Sequence, residues 1–141
     1  MIFARLESFD TSILTGKIMR HLKIFQVDLQ NETLFVKPRG EGSVFRYQEL
    51  HQETNAVRAH LAQPHVRALV IDLSEMEYFG SEFIGALVMM LRETRVRKGK
   101  GCFCSASPQM LQVLQNMSLF KLWPHFATRD EAHSQLTSIA S

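Results

Sequence analysis

Ala68-Leu69-Val70-Ile71 is an unbroken apolar run, the pattern of a strand covered on both faces. Ile84, Leu87, Val88 and Leu91 follow at helical spacing, and Cys102-Phe103-Cys104 forms a second short buried run. A strand, a helix and a further buried strand make the repeating unit of a parallel sheet, because parallel neighbours need a crossover between them. This unit sets the frame for the rest of the chain.

Upstream, Phe25, Val27 and Leu29 alternate as in a strand with one buried face, and Leu34-Phe35-Val36 resumes the pattern after the polar break Gln30-Asn31-Glu32. Together they read as a hairpin, stopped by Pro38 and Gly40. Ser43 is placed to N-cap a helix with Leu50, Thr54, Val57 and Leu61 on one face, ended near Pro64. The helix after residue 80 closes on Arg95, Arg97 and Lys98, cations suited to a helix C-terminus, with Gly99 as its stop. Ser107-Pro108 is a helix start carrying a stripe of Met110, Val113, Leu114 and Met117. Phe126 opens a short last strand, and Thr128 with Glu131 has capping-box spacing for a final helix bearing Ala132 and Leu136. The expected fold is α/β, a mixed central sheet of four to five strands with helices packed on it, mostly parallel in its second half. Residues 1–22 form an unassigned extension, a helix on Ile2, Leu6, Phe9 and Ile13 or an arm, and residues 23–141 form the domain.

With 141 residues, the chain fits one domain. Sixteen Lys and Arg stand against fourteen Asp and Glu, a net charge of +2 that argues against an electrostatic grip on nucleic acid. The longest apolar stretch, residues 83–91, is too short to cross a bilayer, and the first residues lack the pattern of a secretory leader. The expectation is a cytoplasmic protein with no membrane insertion.

Six histidines form no local cluster with ligand spacing, so neither metal nor cofactor is expected. Cys102 and Cys104, two apart on a strand, share a face and read as small buried residues in a reduced compartment. No nucleophile, base and orienting group fall at a spacing that supports catalysis, and the chain is not expected to be an enzyme. The cations Arg92, Arg95, Arg97, Lys98 and Lys100 read foremost as a solvated helix end. Tyr78, Phe79 and Phe83 flank a tight strand-to-helix loop, where aromatics serve either as interface anchors or as a lid on the core. Ser81, just after Gly80, fits the N-cap of the helix, and a phosphate there would add about −1.5 to −2 charge.

Residues 69–85, containing Asp72-Leu73-Ser74 and then Tyr78-Phe79-Gly80-Ser81-Glu82-Phe83, resemble the signature of STAS domains, the anti-sigma factor antagonist family. The resemblance extends over about residues 23–137, with Lys98-Gly99-Lys100-Gly101, the Ser107-Pro108 helix start and Asp130-Glu131-Ala132 falling where the family has comparable residues. It implies a STAS-like fold and a bacterial regulator of transcription that signals through protein–protein interaction. Ser81 matches the serine that a partner kinase phosphorylates in antagonist members, where modification blocks binding of the anti-sigma factor. Tyr78, Phe79, Gly80, Ser81, Glu82 and Phe83 would then bind the partner, an anti-sigma factor or serine-kinase-like regulator. Association with a second copy stays open.

Three departures bear on the switch. Gly80 stands where the family usually has Asp, Glu82 where it has Ser or Thr, and Phe83 where it has Gly. Glu82 would repel a phosphate on Ser81, and Phe83 brings bulk to a slim helix start. The alternative is therefore a STAS scaffold or transporter-associated subunit that has lost phosphorylation. The near-neutral total also hides two poles, because residues 72–82 carry −4 and residues 92–100 carry +4. The acidic end is the expected place for a partner.

Overall fold

The computed structural model describes residues 18–39, 47–76 and 81–140. The proposed cap Ser43 and the stripe Ile2, Leu6, Phe9 and Ile13 lie outside the described residues. In chain order the elements are β1 (Ile18–His21), β2 (Phe25–Gln30), β3 (Thr33–Pro38), α1 (Tyr47–Leu61), β4 (Ala68–Asp72), α2 (Ser81–Val96) and β5 (Lys100–Cys104). Then come α3 (Pro108–Asn116), a 3-10 turn (Leu119–Lys121), β6 (His125–Phe126) and α4 (Arg129–Ala140).

All six strands join one sheet in the order β1-β2-β3-β4-β5-β6. The first three pair antiparallel and the others parallel, as a mixed sheet requires. Gln30 faces Thr33 across a two-residue turn in which Asn31 takes φ 57, a left-handed conformation that asparagine tolerates. The sheet has one strand more than periodicity predicts. The addition is β1, which falls within residues 1–22 and pairs with β2 through an irregular register between Ile18 and Arg20. A bulge of this kind breaks the two-residue period by which a strand is recognised.

Each parallel crossover moves one strand along the sheet in the same direction. Right-handed connections therefore place α1, α2 and α3 on one face. That face holds the larger core, with Val27, Leu34, Val36, Leu69, Ile71 and Phe103 facing Val57, Leu87, Leu91, Met110 and Leu114. The opposite residues of the same strands, Phe35, Ala68, Val70, Cys102 and Cys104, pack with Ala132 and Leu136 of α4. Both cysteines thus share a face as their spacing predicts. Burial drives the Cys102 thiol far above its ordinary range, and burial foremost pushes Cys104 to about 11. Neither is a thiolate near neutral pH.

Local signals account for the helix ends. Ser107 accepts from the Met110 amide at 3.2 Å, capping α3 directly before Pro108. Thr128 Oγ1 accepts from the Glu131 amide at 3.1 Å, while Glu131 reaches back to the Ala127 amide at 2.9 Å, one residue earlier than a standard capping box. At the end of α2 the left-handed residue is Lys98, with φ 66, and not Gly99. The Lys98 and Gly99 amides donate to the Arg95 and Thr94 carbonyls, a Schellman closure. Gly99 is needed for a different reason: a Cβ there would lie 2.5 Å from the Arg67 carbonyl oxygen. Met117, expected on the apolar stripe of α3, is exposed at the helix C-cap, where the stripe has run out.

His125 ties β6 to the start of α3, its Nε2 accepting from the Ala106 amide at 3.1 Å. Only an unprotonated nitrogen can accept. Burial holds this imidazole below its ordinary value of 6.5, against an opposing pull from Glu131. The unfolded chain therefore binds a proton at higher pH than the folded one. Stability from this group is complete above 6.5 and falls as pH drops from there toward the depressed folded value, levelling off below it. Thermal melts across that window should show the decline, and His125→Gln should flatten it. An equal decline in the variant would assign the effect to another group.

Candidate functional site

The described site lies where β4 ends and α2 begins, at the carboxyl edge of the parallel strands, where such sheets place their working loops. Leu73 donates its amide to the Cys104 carbonyl at 2.9 Å and is fully buried. Met76 is likewise buried, its amide on the Leu73 carbonyl at 3.1 Å. These two apolar side chains anchor the root of the loop. Tyr78, Phe79 and Gly80 lie outside the described residues.

Ser81 is the first residue of α2, so the helix begins at the serine itself instead of being capped by it. Ser81 and Glu82 are both exposed. Phe83 is not: it packs against Phe25 with ring centroids 5.6 Å apart and contributes to the core. Phe83 stands two turns before Met90 in this helix and so shares a stripe with Leu87 and Met90. The expected partner-contact role of Phe83 is thereby corrected, since its side chain is inside.

Beside Ser81 runs a groove between α1 and α2, about 340 Å3 in volume, lined by Leu50, His51, Thr54, Glu82, Ala86 and Met89. Gly85 forms part of its floor, and a Cβ added there would meet nothing within 4 Å. Alanine at such a helix position would be favoured by about 0.5–1 kcal/mol, so glycine keeps the floor low at a cost to the helix. Met89 is one of the exposed large apolar residues of the fold.

Below the loop, Asp72 divides its two oxygens. Oδ1 accepts from the Ser74 amide at 3.0 Å, and Oδ2 accepts from Arg129 Nε at 3.2 Å. Arg129 also donates to Asp28 at 3.3 Å and stacks its guanidinium 4.5 Å from the Phe35 ring centroid. Glu75 pairs with Lys37 at 3.3 Å. Of the acidic residues counted from sequence, Asp72 is buried and paired, Glu75 is exposed and paired with Lys37, Glu82 is exposed and opens onto the groove, and Glu77 lies outside the described residues. Among the described residues, no set of three or more His, Cys, Asp or Glu side chains converges as a metal site would. In the same residues, no helix is long and apolar enough to cross a membrane.

The fold and site define a class: a small α/β domain with three crossover helices on one sheet face, one helix on the other, and an exposed helix start beside a groove. Comparison with known proteins gives the family. The STAS domain profile matches residues 25–132. A STAS domain protein described as an anti-sigma factor antagonist, from Planctomyces limnophilus, is 27% identical with a TM-score of 0.66, covering 83% of this chain and 98% of its own. An anti-sigma factor antagonist from Mycobacterium paratuberculosis is 25% identical with a TM-score of 0.67, covering 80% and 92%. The antagonist SpoIIAA in its unphosphorylated form superposes with a TM-score of 0.68 at 21% identity, covering 81% and 96%. The chain belongs to the STAS domain family.

Proposed function

We propose that this protein is a non-catalytic regulatory module of the anti-sigma factor antagonist type, acting in the cytoplasm through a protein partner. Its docking surface is the start of α2 and the adjoining α1–α2 groove, continued by Tyr78, Phe79 and Gly80. The observation that carries this reading is the exposed Ser81–Glu82 corner opening onto an apolar groove whose glycine floor lets another backbone come close. Two relatives at 25–27% identity carry the antagonist description, which supports the same class of partner, an anti-sigma factor or serine-kinase-like regulator. Phosphate on Ser81 would sit at the positive end of the α2 dipole and so leave the helix folded while obstructing the corner.

A second reading is favoured by Glu82. Its exposed carboxylate, one residue from Ser81, supplies a permanent negative charge where the switch would place a temporary one. That reading keeps the docking surface but makes the protein a scaffold or transporter-associated subunit without phosphorylation.

Affinity capture with wild type, Ser81→Ala, Ser81→Asp and Gly85→Leu separates them. A switched antagonist retains its partner with Ser81→Ala and loses at least about tenfold in affinity with Ser81→Asp, the scale of one repulsive charge contact. A scaffold retains its partner with both serine variants and loses it only with Gly85→Leu. Retention by all four proteins would sink the docking surface itself.

A further inference from the structure

Among the described residues, the end opposite Ser81 carries an excess of cations. Where α2 ends and β5 begins, three shallow hollows share Lys98. Between them they are lined by the cations Arg67, Arg95, Arg97, Lys98 and Lys100. Glu93 is engaged by Arg97 and Arg58 at 3.0 and 3.3 Å, an embrace that holds its carboxyl below the ordinary range. Glu32, whose carbonyl accepts from the Arg67 amide at the β2–β3 turn, is a second acidic residue of this end, so the cations remain in excess. Arg67, Arg95, Lys98 and Lys100 make no ion pair among the described residues. Two large apolar residues emerge in the same hollows, Val96 at 78% exposure and Leu122 at 49%. Trp123 beside them is buried.

We infer that this cationic tip, with Val96 and Leu122 at its surface, docks the protein on an anionic phospholipid bilayer. The combination decides the partner. Cations alone would serve any polyanion, but exposed aliphatic side chains set among them match the boundary between headgroups and acyl chains. A nucleic acid would be met by aromatic stacking platforms, and the one tryptophan here is turned inward. A tightly held phosphate is disfavoured because the tip lies at the carbonyl end of α2, whose dipole opposes a coordinated anion. A diffuse negative surface does not require such close approach. Lys98 adds a further indication: it occupies a left-handed position that glycine would hold without strain, so a charge is kept there at the expense of backbone comfort. The surface lies at the opposite end of α2 from Ser81, so membrane docking leaves the partner corner facing away from the bilayer.

Co-sedimentation of the full chain with vesicles tests this, using phosphatidylcholine alone and an equimolar mixture with phosphatidylglycerol. The expected result is binding to the anionic vesicles only, weakened by salt. Each cation near such a surface contributes about fivefold, so the triple variant Arg95→Glu, Lys98→Glu, Lys100→Glu should bind at least on the order of 100-fold more weakly. Lys98→Gly should melt higher than wild type, having lost its backbone strain, yet bind the vesicles about fivefold more weakly. Leu122→Ser should weaken binding as well. Wild type failing to sediment with anionic vesicles, variants binding as tightly as wild type, or capture of duplex DNA in place of vesicles would each overturn the inference.

Discussion

Arg129→Ala is expected to destabilise the fold by about 3 kcal/mol, the scale for removing one partner from a largely buried ion pair. The side chain is 28% exposed and faces Asp28 and Asp72, which are 18% and 7% exposed. Removing the arginine leaves two carboxylates with little water and no cation, and also strips the cation from the face of Phe35. Its location at the first position of α4 strengthens the argument. A cation there opposes the helix dipole, so the two aspartates are what make the position acceptable. Adding Asp72→Asn in the Arg129→Ala background should recover part of the loss, because the amide oxygen can still accept from Ser74 while the stranded charge is gone. Urea unfolding of the two single variants and the double variant measures the coupling. A loss under about 1 kcal/mol for Arg129→Ala would mean that water screens the cluster as it does a surface pair.

Elements whose signals are local were legible in the sequence. The two-face burial of β4 and β5, the Ser107-Pro108 start and the Thr128–Glu131 cap each depend on residues within a few positions of one another. The hairpin turn at Asn31 is of the same kind. What escaped depends on contacts across the sheet. Asp28 and Arg129 are 101 positions apart, and nothing near either residue announces the other. The same arginine reaches Asp72, 57 positions earlier, which was a charge in the sequence sum and is a buried partner in the fold. Phe83 escaped for a more tractable reason. Read as flanking the loop, Phe83 looked available either as an interface anchor or as a lid on the core. In the helix that starts at Ser81, Phe83 stands four residues before Leu87 on the core stripe. Ser81 and Glu82, expected at a partner surface, are exposed, while the side chain beside them points inward. The groove could not be read at all, because it joins Leu50 and Thr54 of α1 to Gly85 and Met89 of α2. Its one local trace was Gly85, a glycine inside an otherwise helical pattern.

Glu53→Ala should cost about 3 kcal/mol, although the residue carries no motif. Glu53 is on the inward side of α1, between Leu50 and Val57, where a carboxylate would ordinarily be excluded. It is tolerated because the chain entering β2 needs acceptors. Oε1 takes the amides of Ile24 and Phe25 at 2.8 and 3.2 Å, and Oε2 takes that of Lys23 at 2.8 Å. Ile24 and Phe25 are fully buried, so alanine would leave their amides without a partner and without water. Glutamine keeps an oxygen for those two and turns its amide group toward Lys23, and should restore more than half of the loss. Glu49, one turn earlier, supplies the contrast. It contacts the ammonium of the same Lys23 directly at 3.3 Å, but in a solvent-exposed pair, so losing that pair in Glu49→Ala should change stability by no more than about 0.5 kcal/mol. Urea unfolding of the three variants tests the ordering, and a Glu53→Ala loss as small as that of Glu49→Ala would mean that water reaches the amides of β2. Two glutamates four residues apart on one helix, both engaging Lys23, would then differ in stability contribution because one accepts from buried amides and the other from an exposed ammonium.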